Sequence, residues 1–142
     1  MSSLPIQFFS EDISYTLKNK AKVRSWLNQA IREEGRRLKE LNFIFCNDQY
    51  LLEINQNYLK HDTFTDIVTF DNSDSERITG DIFISIDRVK ENAGKFGVNF
   101  VDELHRVMIH GTLHLLGYLD KTKAQKEVMT GKENYYLALR AF

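Results

Sequence analysis

One stretch limits what this chain can fold into more than any other: Val107 to Asp120, VMIHGTLHLLGYLD. Two histidines, His110 and His114, stand four residues apart in a run that is otherwise almost wholly apolar. At ~100° and ~1.5 Å per residue they project from one face of a helix, one turn apart. That spacing lets two imidazoles share a single metal ion. Gly117 predicts the end of the helix, because glycine takes the left-handed conformation that closes one. If the chain turns back there, the carboxylate of Asp120 returns to the two rings. Two imidazoles and a carboxylate leave one position open on a tetrahedral ion, as in catalytic zinc sites. A second reading of Asp120 stands beside this one. An aspartate just past a helix end, followed by Lys121 and Thr122, also serves as the N-cap of the next helix.

A single buried histidine is ordinarily a hydrogen-bonded core residue. Two on one apolar face need two partners, which favours a ligand pair. His105 lies roughly 140° round the helix from His110 and is therefore not expected to join them. From Val107 onward the helix is apolar nearly all round, so it belongs between layers.

The chain has 142 residues, enough for one domain, residues 1–142, with its own core. Hydrophobic residues make up 42% and charged residues 27%, which fits a soluble globular protein. No apolar run approaches the ~18 residues of a membrane span. The start, MSSLPIQFFSED, lacks the basic and long apolar stretches of a signal peptide. Cys46 is the one cysteine, so no intrachain disulfide forms; a cytoplasmic location and a small core residue in a strand are expected. Net charge is −1, so any nucleic-acid contact needs a local basic patch.

Periodicity assigns the elements. Ile6 to Phe9 reads as a strand. Asn19 to Glu34 reads as an amphipathic helix with Val23, Leu27, Ala30 and Ile31 on one stripe and Gly35 as its stop. Leu41 to Cys46 is a second strand and Gln49 to Tyr58 a second helix. Ile67 to Phe70 is a third strand, and the polar Asn72 to Thr79 a loop. Gly80-Asp81 opens a fourth strand with Ile82, Ile84 and Ile86 on one face. Asp87 to Phe96 is a helix closed by Gly97, Asn99 caps the central helix, and Lys123 to Leu139 is a last helix weakened by Gly131. Arg32, Arg36, Arg37 and Lys39 read as solvated cations at a helix C-terminus, or else as a phosphate-contacting patch. The fold class is therefore α+β: a small sheet of about four strands, a buried central metal-binding helix, and helices around it.

His110-Gly-Thr-Leu-His114-Leu-Leu-Gly-Tyr118 resembles the signature of the YbeY family of bacterial endoribonucleases, H-G-x-L-H-L-x-G-Y-D-H. A second segment, Tyr58 to Phe70, resembles the family's Y-R-x-x-D-x-P-T-D-V-L-S-F through Tyr58, Asp62, Thr65, Asp66 and Phe70. The resemblance covers most of Asn55 to Asp120. It implies a mixed sheet, an open metal cleft and zinc held by His110, His114 and the position of Asp120, where the family has a third histidine. It also implies a single-strand-specific endoribonuclease of ribosomal RNA, acting in 16S rRNA 3′-end maturation with the small ribosomal subunit as partner. A carboxylate ligand admits other divalent transition metals beside zinc. Leu59 stands where the family has an arginine, and Phe64 replaces its proline. Lys60 and His61, next to Leu59, are the candidates to supply the missing positive charge.

Two rivals stand. A zinc peptidase also uses paired helical histidines, but its general base is a glutamate directly after the first, where this chain has Gly111. A non-catalytic ribosome assembly factor would use the metal only to tie the helix end to the loop that follows.

Overall fold

A computed structural model describes residues 5–59 and 65–142. Nine elements follow in order: β1 (Ile6–Ser10), α1 (Lys20–Glu33), β2 (Arg37–Cys46), α2 (Asp48–Leu59), β3 (Ile67–Asp71), β4 (Arg77–Ser85), α3 (Ile86–Phe96), α4 (Phe100–Leu115) and α5 (Lys123–Ala138). The four strands form one mixed sheet in the order β1-β2-β4-β3. β1, β2 and β4 are parallel, and β3 runs antiparallel to β4. The expected α+β architecture is the observed one.

Strand alternation sorts the sheet's two faces. On one, Leu41, Phe43, Phe45, Ile78, Ile82 and Ile84 are completely buried and join the main core with α1, α3, α4 and α5. On the other, Cys46 and Val68 pack with Leu51 of α2, flanked by Tyr50, Ile54, Phe70 and Phe83. Burial and the charges of Asp48, Asp87 and Asp12 push the Cys46 thiol up to about 12, so it is an inert core residue.

α4 packs against the sheet through its glycine. A Cβ built on Gly111 would meet Ile67 Cδ1 at 2.7 Å and two Ile82 carbons at 3.1 Å. The helix can come this close only because residue 111 has no side chain. At the sheet, a Cβ on Gly80 would meet the Phe70 carbonyl oxygen at 2.7 Å.

Three boundaries differ from the sequence reading. β2 begins at Arg37 and β4 at Arg77, so the supposed Asn72 to Thr79 loop is shorter. Backbone pairing of Arg37 with Arg77 and Leu38 with Ile78 extends both strands, and Ile78 continues the buried face of Ile82 and Ile84. The turn before them is fixed by Asp74, whose Oδ1 accepts from the amides of Glu76 and Arg77 at 2.9 and 2.7 Å. Third, Ile86 is the first residue of α3, with Ser85 as its N-cap. The basic cluster spans two elements and the turn between them. Arg32 ends α1, Arg36 donates to the Asp74 carbonyl at 2.6 Å, and Arg37 and Lys39 lie in β2. Among the described residues no helix is long and apolar enough to cross a membrane.

Candidate metal centre

α4 ends in a Schellman turn. Gly117 sits at φ 103°, the Tyr118 amide donates to the Leu113 carbonyl at 3.0 Å, and the Gly117 amide donates to the His114 carbonyl at 3.0 Å. The turn reverses the chain and brings Asp120 back over the last turn of α4. Asp120 Oδ2 lies 3.3 Å from His110 Nε2 and 3.4 Å from His114 Nε2. The two Nε2 atoms are 3.0 Å apart. Among the described residues, these three form the group whose donor atoms all lie within 4.8 Å of one another.

Asp120 is not a helix cap. Thr122 caps α5 in a capping box: Gln125 N donates to Thr122 Oγ1 at 3.1 Å, and Thr122 N donates back to Gln125 Oε1 at 3.1 Å. α5 continues through Gly131 to Ala138.

The outer nitrogens of both rings are engaged. His114 Nδ1 is 2.8 Å from the Tyr118 carbonyl oxygen, which only accepts, so that nitrogen carries the proton. His110 Nδ1 is 2.6 Å from Glu133 Oε2. Glu133 is buried, its other oxygen accepts from Arg106 Nη1 at 2.9 Å, and His110 Nδ1 faces it as the second donor. With both Nδ1 protons outward, neutral rings turn two Nε2 lone pairs toward the Asp120 carboxylate oxygen. Such acceptors repel unless a proton or a metal cation lies among them. Donors ~2.0–2.1 Å from a tetrahedral ion lie about 3.3 Å from each other, close to the separations here. The donor set therefore fits a divalent transition metal.

The electrostatics agree. Burial opposes charging His110, but the hydrogen bond to Glu133 and the charges of Glu133, Asp120 and Asp66 outweigh it and raise its pKa. Burial raises Asp66, and burial with the charge of Asp66 raises Glu103. Several carboxylates thus gather around one point. His105 does not join them. It lies in the core against Trp26 and Phe142, its Nδ1 accepts from Arg140 Nη1 at 2.8 Å, and burial with the Arg140 charge lowers it to about 4.

Glu133 and the Tyr118 carbonyl were not expected from the sequence. Glu133 had a signal, since it falls on the buried stripe of α5 with Met129 and Tyr136. A carbonyl contact has none. Lys60, His61, Asp62 and Phe64 lie outside the described residues. Leu59 is exposed at the end of α2.

The Endoribonuclease YbeY family model matches residues 6–140. Among similar proteins, Endoribonuclease YbeY of Cytophaga hutchinsonii is 52% identical over 143 residues and 100% of both chains. That of Christiangramia forsetii is 46% identical, over 94% of this chain and 93% of its own. A solution structure of TM1509 from Thermotoga maritima matches with TM-score 0.66 and 27% identity, over 93% of this chain and 86% of that one.

Proposed function

This chain belongs to the endoribonuclease YbeY family, and from that premise we propose that it is a metal-dependent hydrolase cutting single-stranded RNA at internal positions. The observation that carries the metal part is the convergence of His110 Nε2, His114 Nε2 and Asp120 Oδ2, with the Nδ1 atom of each ring engaged on its outer side. His110, His114 and Asp120 would hold the ion, zinc first, with other divalent transition metals admitted by the carboxylate. Three protein donors leave a coordination position for water or a phosphoryl oxygen. When bound, the ion lowers the pKa of water toward neutrality and polarises the phosphoryl group.

The rest of the work falls to the chain. Glu133 and the Tyr118 carbonyl hold the two rings in the tautomer that keeps Nε2 free. Gly117 delivers Asp120. Asp66, immediately before β3, lies within electrostatic reach of His110. Lys60 and His61 are the side chains we assign to stabilising charge that develops on phosphorus. Ribosomal RNA, with 16S 3′-end maturation on the small ribosomal subunit in the cytoplasm, is the substrate reading that family membership favours.

The peptidase rival lacks its general base. The residue after His110 is a glycine packed on Ile67 and Ile82 of the sheet, where a zincin carries glutamate. The test is cleavage of an unstructured RNA by rigorously purified protein, beside His114→Ala and a chelated sample. Internal cuts by the wild type alone are expected. Cutting that persists in His114→Ala overturns the site. Full metal content without RNA cleavage selects the assembly-factor reading, and cleavage of casein in place of RNA selects the peptidase.

A further inference from the structure

Glu34 closes α1, where a carboxylate is badly placed. It faces the negative end of the helix dipole, which costs ~0.3–1 kcal/mol at a surface position. Gly35, at φ 81°, and the bond from the Arg36 amide to the Ile31 carbonyl at 3.1 Å end α1 in the same kind of turn that ends α4. The side chain of Glu34 leaves this turn and is 11% exposed. Its Oε1 accepts from Tyr118 Oη at 2.5 Å. Its Oε2 accepts from Lys132 Nζ at 2.9 Å and from Tyr136 Oη. Burial pushes its pKa up, but these three donors outweigh burial and hold it below the ordinary carboxylate value. Lys132 also lies over the Tyr118 ring, 5.6 Å from its centroid.

Those partners are the neighbours of the two groups that orient the histidines. Tyr118 offers its hydroxyl to Glu34 and its carbonyl to His114 Nδ1, and Asp120 follows two residues later. Lys132 and Tyr136 bracket Glu133, the partner of His110 Nδ1, at one residue before and three after. One carboxylate therefore ties together the turn that supplies Asp120 and the stretch of α5 that supplies Glu133. The Lys132 ammonium over the Tyr118 ring joins the same two segments.

We propose that Glu34 is a positioning residue for the metal centre, acting through Tyr118 on His114 and Asp120 and through Lys132 and Tyr136 on Glu133. The proposal rests on the metal-site reading above. Gln at this position keeps one acceptor but turns an amide N–H toward the donors Lys132 and Tyr136. Residues that orient metal ligands change affinity ~10–100-fold, and Glu34 stands one contact further out, so about tenfold is expected.

The experiment measures zinc affinity by competition with a chromophoric chelator for wild type, Glu34→Gln, Tyr118→Phe and His114→Ala. It also records the visible spectrum of each cobalt-loaded protein and the melting temperature of each metal-free one. Tyr118→Phe removes one arm only, so it keeps the test open if Glu34→Gln fails to fold. The expected result is zinc binding about tenfold weaker in the folded Glu34→Gln protein and severalfold weaker in Tyr118→Phe, with an altered cobalt band intensity in both. A metal-free melting temperature that falls while affinity and cobalt spectrum stay at wild-type values assigns Glu34 a structural role only and overturns the proposal. Wild-type zinc affinity in His114→Ala overturns the metal site itself, a separate failure.

Discussion

Glu133→Gln isolates what a buried carboxylate does for a ligand it orients. Glu133 has two donors against it, His110 Nδ1 at 2.6 Å and Arg106 Nη1 at 2.9 Å, and its side chain is 8% exposed. Glutamine has one oxygen for two donors. Arg106 is 36% exposed and keeps Asn134 Oδ1 at 2.8 Å, so it can turn to water, whereas His110 cannot. The amide oxygen therefore goes to His110, and the ring keeps its tautomer but loses the charge behind it. Exchanging a charge-assisted bond for a neutral one costs ~1 kcal/mol or somewhat more. Orienting partners of metal ligands change affinity ~10–100-fold, which is ~1.4–2.7 kcal/mol. Chelator competition should thus show zinc bound about tenfold more weakly than in wild type, and Arg106→Ala should show a smaller loss. Wild-type affinity in Glu133→Gln would refute the claim that Glu133 sets the His110 ligand.

Asp120→Asn should lose metal affinity at unchanged α5 stability, because Thr122 and Gln125 cap that helix; titration calorimetry with zinc and manganese reads the first and metal-free melting the second. Gly111→Ala gains up to ~1 kcal/mol of helix propensity but forces a methyl against Ile67 and Ile82, where overpacking costs ~1–3 kcal/mol; urea unfolding should show net destabilisation. His105 gives the metal-free protein an acid-sensitive core. Its folded pKa, about 4, lies below the unfolded value, so the unfolded chain binds the extra proton first. Stability is then complete above pH ~6.5 and falls by roughly 2–3 kcal/mol as pH drops toward 4, and His105→Phe should flatten that slope in metal-free melts.

The sequence exposed the centre of this molecule and hid its supports. His110 and His114 were legible because helical spacing is rigid. The return of Asp120 was legible because Gly117 forces a turn. The choice between ligand and cap for Asp120 was not, since both need a carboxylate at a loop end; the Thr122–Gln125 pair decides it only in three dimensions. Glu34 and Glu133 read as ordinary helical glutamates, because their partners lie 84 and 23 residues away. The early starts of β2 and β4 were hidden by the charged residues Arg37, Lys39, Glu40 and Arg77 around Leu38 and Ile78, and by Gly80, which interrupts the apolar face between Ile78 and Ile82. Their pairing comes from the neighbouring backbone.

In the proposed function one ion sits among three named atoms. Anomalous diffraction at the zinc edge, from crystals of the wild-type protein grown with one equivalent of zinc, tests it most directly. A single strong peak is expected ~2.0–2.2 Å from His110 Nε2, His114 Nε2 and an Asp120 carboxylate oxygen. Zinc bound elsewhere, with the two rings hydrogen-bonded to each other and Asp120 turned to solvent, would contradict it.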